Sequence, residues 1–215
     1  MSTKVKSTAT VFVVEDDADM RESIKRVLDS VSLPVESYAD ASEFLKAYKP
    51  QRPGCLLVDL RLPGTSGVAL LEELRQRGDR LPAVALTAYG EVPSTVRVMR
   101  SGAIDVIEKP FRAQALIDRV HEAIELDWRQ REDAERRKAA TERLQTLTAR
   151  EREVLGKLYE RGDVRSVAKD MGLSIKTVHT HRANMMRKTG TRSTVSLLRL
   201  ALDAGTACGG KLALN

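Results

Sequence analysis

The 215-residue chain has only two cysteines, Cys55 and Cys208, far apart and without C-x-x-C spacing. That leaves no framework for a disulfide scaffold and no thiolate zinc site, so both are expected to be ordinary thiols. Aromatic residues make up 4% of the sequence, too few for a surface that stacks single-stranded bases, which argues against RNA recognition. No apolar run approaches the ~18 residues that a membrane span needs. Residues 1–10 (MSTKVKSTAT) lack the apolar stretch of a secretion signal. A cytoplasmic protein with no membrane partner is the expectation.

What is present is a globular composition, 42% hydrophobic and 31% charged, at a length that favours two domains over one. The net charge of +6 is unevenly placed. Residues 1–128 carry 17 Lys/Arg against 20 Asp/Glu, residues 129–143 carry 6 against 4, and residues 144–215 carry 13 against 6. The front is mildly acidic and the tail strongly basic. A basic tail points to a polyanion partner, although charge alone does not separate that from a solvated basic face.

In the front half, short apolar runs at 11–14, 34–38, 55–58, 83–86 and 104–107 alternate with helix-patterned stretches at 18–31, 40–49, 67–77 and 92–101. A fifth helix begins near Arg112. Strict alternation with uniformly apolar strands predicts an α/β fold, a doubly wound, five-stranded parallel sheet. Its crevice should lie at the carboxyl ends of the strands. Residues 128–143 lose the apolar stripe and contain no Gly or Pro, which reads as a solvated helix continuing the fifth, with a disordered linker as the alternative. After it the strand signal disappears. Helices are expected at 148–160, opened by the capping box Thr148-Ala-Arg-Glu151, and at 164–171, 174–188 and 193–202. The expected divisions are a domain at 1–126, a charged helical linker at 127–144 and a small all-α domain at 145–215.

Several polar groups share one address at the strand ends. Val11-Phe-Val-Val14 runs directly into Glu15-Asp16-Asp17, and Cys55-Leu-Leu-Val58 into Asp59. A lone acidic pair is ordinarily a solvated loop or a helix cap. Two acidic groups meeting in one crevice would repel unless protonated or bound to a cation, and oxygen-only ligands suit Mg²⁺. Ala83-Val-Ala-Leu86 is followed by Thr87-Ala88, a hydroxyl beside a small residue, and residues 104–107 by Glu108-Lys109-Pro110-Phe111. Such a set can make and neutralise an acyl phosphate. Asp59 would attack phosphorus, Mg²⁺ and Lys109 would offset charge, and Thr87 would bond a phosphoryl oxygen.

With these residues in view, 10–126 resembles the receiver domain of two-component response regulators, which implies that the doubly wound sheet is flavodoxin-like. The resemblance rests on Val13-Val-Glu-Asp-Asp17, Val58-Asp-Leu-Arg-Leu-Pro-Gly64 with Ser66-Gly67, Leu86-Thr-Ala88, Gly102-Ala103 and Glu108-Lys-Pro-Phe111. It implies that Asp59 accepts a phosphoryl group from a sensor histidine kinase. It also implies that Asp16, Asp59 and the Arg61 backbone carbonyl hold Mg²⁺, with Glu15 acting partly through water. The chain departs from the family at Val106, where receivers usually carry an aromatic ring that swings with the Ser/Thr. A β-branched side chain cannot copy that motion.

In the tail, Ile175, Val178 and Met185 fall near one face of a helix, while Lys176, His179, Thr180, Ala183 and Arg187 fall along another. Preceded by 164–171 and the turn at Gly172-Leu173, this reads as a helix-turn-helix, with an ordinary amphipathic helix as the alternative. His179-x-His181 has no Cys or Glu partner and is not read as a metal site. Residues 145–202 resemble the LuxR-type helix-turn-helix of NarL/FixJ regulators. The match rests on Leu147-Thr-Ala-Arg-Glu-Arg-Glu-Val-Leu155, Thr177-Val178, His181-Arg-Ala-Asn184 and Lys188-Thr-Gly190. The stretch after Gly162 is one residue shorter than usual, and His179 stands where Lys is common. His179, Thr180 and Ala183 are the candidates for base edges. Lys176, Arg165, Arg182, Arg187 and Lys188 are the candidates for phosphates, with Thr177 beside them. An apolar stripe at Val195, Leu198 and Leu202 is either core or a two-fold dimer contact, the latter matching inverted half-sites in double-stranded DNA.

The expected function is a DNA-binding response regulator, whose phosphorylation at Asp59 changes dimerisation and promoter binding, with RNA polymerase a further candidate partner. It would be no enzyme beyond self-catalysed phosphotransfer and autodephosphorylation at Asp59. The rival reading is a Mg²⁺-dependent phosphohydrolase with a basic accessory domain. Arg61 stands where such enzymes place a second Asp.

Overall fold

The computed structural model describes residues 9–88, 95–205, 207–208 and 211–212. The backbone divides into two compact units, Met1–Gln130 and Arg131–Asn215. In the first, strands β1 (Thr10–Val14), β2 (Val35–Tyr38), β3 (Gly54–Asp59), β4 (Ala83–Ala88) and β5 (Ala103–Lys109) alternate with α1 (Ala18–Asp29), α2 (Ala41–Ala47), α3 (Gly67–Gln76) and α4 (Thr95–Arg100). All pairs are parallel, in the order β2-β1-β3-β4-β5. The order reverses beside β1, so the crevice beyond the carboxyl ends of β1 and β3 is the topological switch point. The expected α/β fold is observed. Of the helix expected at 92–101, residues 92–94 lie outside the described residues.

Alternation along the strands feeds two apolar layers. Phe12, Val14, Leu56, Val58 and Ala85 face one, with Phe44, Leu70 and Leu74, whereas Val11, Val13, Leu57, Val84 and Leu86 face the other, with Ile24, Leu28, Leu116 and Val120. Every residue of β3 is buried, as a central strand covered on both faces must be. At its start, a Cβ on Gly54 would lie 1.9 Å from the Thr10 carbonyl oxygen, so only glycine allows β1 and β3 to approach there. The Gly54 N–H donates to buried Asp127 Oδ2 at 3.0 Å. Cys55 is buried, and burial holds its thiol far above the ordinary range, leaving it inert.

α5 runs continuously from Ala113 to Gln145, the helix expected through 128–143. It is not solvated throughout that stretch. Trp128 packs partly buried against the first core, Ala140 is buried in the second, and Leu144, just beyond the stretch, is buried there too. The second unit continues with α6 (Ala149–Arg161), α7 (Val164–Met171), α8 (Ile175–Thr189) and α9 (Thr194–Asp203). Each is opened by a side-chain cap: Thr148, Asp163, Ser174 and Ser193. Val154, Leu155, Leu158, Val167, Val178, Met185, Leu197 and Ala201 form the core. Two departures from the sequence reading appear. Strands β6 (Ala207–Cys208) and β7 (Lys211–Leu212) pair antiparallel where no strand was expected, since two-residue strands carry no periodicity. Ile175 does not join Val178 and Met185 in the core but is 46% exposed, because it opens α8 before that helix reaches its neighbours. Among the described residues no helix is long and apolar enough to cross a membrane.

Candidate functional site

Three strand ends build the first site. The acidic triplet after β1 splits three ways. Glu15 turns inward and is buried, Asp16 is exposed, and Asp17 caps α1 by accepting from the Asp19 and Met20 N–H groups. Arg21 fixes this turn by donating to the Glu15 and Asp16 carbonyls at 2.6 and 3.1 Å. Asp59 ends β3, and its Oδ1 accepts the Arg61 N–H at 2.9 Å. Lys109 ends β5 beside Ala88 in register. Its Nζ lies 2.6 Å from Asp59 Oδ2 and 2.6 Å from Glu15 Oε2. The Thr87 hydroxyl, buried at the end of β4, donates to the Ala88 carbonyl at 3.4 Å.

The charges are mutually dependent. Burial pushes the Glu15 carboxyl above its ordinary range, with the Lys109 hydrogen bond pulling the other way and the Asp59 charge adding to the rise. Burial also draws the Lys109 ammonium down, but its bonds to Asp59 and Glu15 outweigh this and hold it above its usual value. One carboxylate oxygen from each of Glu15, Asp16 and Asp59 lies within 4.8 Å of the others. This compact all-oxygen set fits a hard divalent cation such as Mg²⁺. The loop after Asp59 returns so closely that a Cβ on Gly67 would meet the Asp59 carbonyl oxygen at 2.2 Å. Glycine therefore lets α3 start against the phosphoacceptor candidate.

In the second unit, Gly172 in the left-handed conformation joins α7 to α8. Along α8, Lys176, His179, Thr180, Ala183 and Arg187 are exposed, while Val178 and Met185 are buried. Arg165 is exposed on α7, and Thr177 is half-buried under the Ser174 cap. The short stretch after Gly162 is accommodated by its left-handed C-cap followed at once by the Asp163 N-cap.

Comparison with known proteins decides what these two arrangements belong to. Residues 11–121 match the response regulator receiver domain, and residues 145–201 match the luxR family of bacterial regulatory proteins. The chain is a response regulator. It is 40% identical over 205 residues to nodulation protein W of Bradyrhizobium diazoefficiens, covering 94% of this chain and 89% of that one. To the transcriptional regulatory protein FixJ of Azorhizobium caulinodans it is 38% identical, covering 92% and 93%. To TdiR of Thauera aromatica it is 34% identical, covering 96% and 91%. Among solved structures, response regulator StyR superposes with a TM-score of 0.77 at 39% identity, covering 90% of this chain and 98% of that one. Full-length FixJ from B. japonicum gives 0.58 at 32%, covering 94% and 100%. The regulator therefore has a receiver and a LuxR-type DNA-binding domain, and the phosphohydrolase reading finds no support.

Other candidates of the sequence reading are placed differently from the exposed face of α8. Val106 is half-buried against the first core. Arg182 is half-buried, with its Nε enclosed and unpaired. Lys188 is exposed, but its ammonium is engaged, 2.7 Å from Glu151. Of the α9 stripe, Val195 is 76% exposed and Leu202 is exposed, whereas Leu198 packs partly on the core. The sequence reading missed Arg21 and Arg143 altogether. It took Glu151 only as a capping residue and Gly67 only as part of a motif. Arg143 and the Glu151–Lys188 contact carry no local mark, because they join residues 46 and 37 positions apart.

Proposed function

We propose that the regulator takes a phosphoryl group onto Asp59 from the phosphohistidine of a sensor kinase and changes its binding to double-stranded promoter DNA in response. The observation that carries this is the position of Asp59. It ends the central strand, with one oxygen facing Lys109 and the other held by the Arg61 N–H. A carboxylate oxygen attacks phosphorus, the P–N bond of the donor breaks, and the imidazole leaves with its electron pair. Lys109 neutralises charge on the new acyl phosphate, and Thr87 donates its hydroxyl to a phosphoryl oxygen. Glu15, Asp16, Asp59 and the Arg61 carbonyl would hold Mg²⁺, whose chemistry is to offset phosphoryl charge. Hydrolysis of phospho-Asp59 by water returns the ground state, so turnover is confined to the protein's own residue.

On the DNA side, His179, Thr180 and Ala183 read base edges, Ala183 against a thymine methyl, and Lys176, Arg165 and Arg187 reach phosphates. Phosphorylation favours a dimer on inverted half-sites, and Val195 and Leu202 are the exposed apolar contacts for it. Promoter-bound dimers then meet RNA polymerase. Labelling by a small acyl phosphate such as acetyl phosphate tests the first step. Wild type should be labelled only with Mg²⁺, and Asp59→Asn should not be labelled. Retained or EDTA-insensitive labelling in Asp59→Asn would remove Asp59 from this role.

A further inference from the structure

The C-terminal end of α8 is held by two charged contacts that neither the helix-turn-helix pattern nor the capping rules require. Gly190, with φ of 64°, ends the helix, and the Thr191 N–H donates to the Met186 carbonyl at 3.0 Å. The Thr189 carbonyl remains to be satisfied. It accepts two N–H groups of Arg143, from the last turn of α5, with Nε at 2.7 Å. A guanidinium there also opposes the partial negative charge of the helix end. One residue earlier, Lys188 Nζ lies 2.7 Å from Glu151 Oε2, and that same oxygen accepts the Thr148 N–H at 2.8 Å and its hydroxyl at 3.0 Å. Glu151 is only 5% exposed. A buried carboxylate needs a cation, which ties the Lys188 ammonium to Glu151 although 32% of the lysine side chain stays exposed.

We propose that Arg143 and the Glu151–Lys188 pair are positioning residues that set the angle of the DNA-reading helix α8 from its C-terminal end, and that Lys188 does not contact a DNA phosphate. The inference rests on the DNA-binding reading above and deepens it. The exposed side chains Lys176, His179, Thr180 and Ala183 all lie on the N-terminal side of this anchor. At 1.5 Å rise per residue, Lys176 is about 18 Å along the axis from Lys188, so a rotation of about 5° at the anchor moves it by about 1.5 Å. That exceeds the ~0.5 Å window of a hydrogen bond. Loosening the anchor therefore spoils base reading while leaving the basic surface in place.

The test is binding of the full-length protein, over a series of salt concentrations, to the duplex it selects from a random pool and to a scrambled duplex. Lys188→Ala, Glu151→Gln and Arg143→Ala are expected to lose about tenfold on the selected duplex, the scale of one charge-assisted hydrogen bond. Their affinity for the scrambled duplex and their salt slope should stay at the wild-type values. Lys188→Arg and Arg143→Lys, which keep the charges, should recover most of the loss. Lys176→Ala, by contrast, should weaken both duplexes and flatten the salt slope by about one. Lys188→Met, which retains the apolar stem, replaces Lys188→Ala if the latter does not fold. The inference is overturned if Lys188→Ala loses equally on both duplexes with a flatter slope. It is also overturned if Glu151→Gln binds the selected duplex as well as wild type or better, because removing a negative charge can only help a purely electrostatic contact. A wild type that selects no sequence sinks the DNA-binding reading and this inference with it, whereas those two outcomes sink the inference alone.

Discussion

Gly67 shows how much of the geometry around Asp59, the proposed phosphoacceptor, depends on an absent side chain. Its added Cβ would lie 2.2 Å from the Asp59 carbonyl oxygen and 2.9 Å from the Asp59 carbonyl carbon and the Leu60 Cα. These are backbone atoms at the site itself, so the strand end must move. Gly67→Ala is expected to cost about 1–3 kcal/mol, the range for overpacking, and to slow phosphorylation of Asp59. Urea unfolding and acetyl phosphate labelling check both, and unchanged midpoint and labelling would mean that the loop yields without moving Asp59. The same residue scale explains Val106. Its half-buried place against the core suits a β-branched side chain, and the ring motion that the family couples to Thr87 has no counterpart there.

At the scale of elements, the helices of the second unit stand on their caps. Ser174 accepts the Thr177 N–H at 3.0 Å to open α8. Ser174→Ala should cost about 1 kcal/mol, read as a lower urea midpoint of the second unit. An undiminished midpoint would show that tertiary contacts hold the first turn without the cap. At α6 the cap is also an acid-sensitive joint. Burial tends to raise the Glu151 carboxyl, but the Lys188 ammonium and the Thr148 N–H outweigh it and hold the group below its ordinary range. A lowered native value means stabilisation that is present above the unfolded pKa of about 4.3 and is lost as pH falls through the native value. Glu151→Gln should accordingly be less stable than wild type at pH 7, and its stability should change less between pH 5 and 3. Helix ellipticity followed through urea at each pH measures this. Parallel acid limbs in the two proteins would assign the sensitivity to other carboxylates.

For the whole molecule, two compact units, one mildly acidic and one strongly basic, share the 33-residue helix α5. A lone helix-turn-helix reads few base pairs, and pairing two copies doubles the read. Phosphorylation, or beryllofluoride in its place, is therefore expected to raise the sedimenting mass toward a dimer and DNA occupancy about 5- to 150-fold, the usual size of allosteric coupling. Unchanged mass together with unchanged affinity would show that phosphorylation is not the gate. Val195 is exposed enough that Val195→Glu should leave the fold intact. If α9 pairs on DNA, the variant loses cooperative binding to inverted half-sites. Wild-type cooperativity in the variant would place the dimer contact elsewhere.

Much of this was legible in the chain. Uniformly apolar runs and amphipathic runs of period 3.6 are local, so the alternation of strands and helices, the four tail helices with the Thr148 capping box, and the strand-end acids could all be read from neighbours in sequence. The five-motif set at Asp59, Thr87 and Lys109 was legible because a doubly wound sheet sends every strand end to one crevice. Tertiary structure alone decided which carboxylate of Glu15-Asp16-Asp17 turns inward, because Asp17 satisfies the first N–H groups of α1 and Glu15 fills the space beside Lys109. It alone paired Lys188, still partly exposed, with Glu151, 37 residues away, and Arg143 with the Thr189 carbonyl, 46 residues away. A charge in sequence carries no address. Only folding shows which buried oxygen faces which cation, and the burial of that oxygen is what selects among the many cations of the tail.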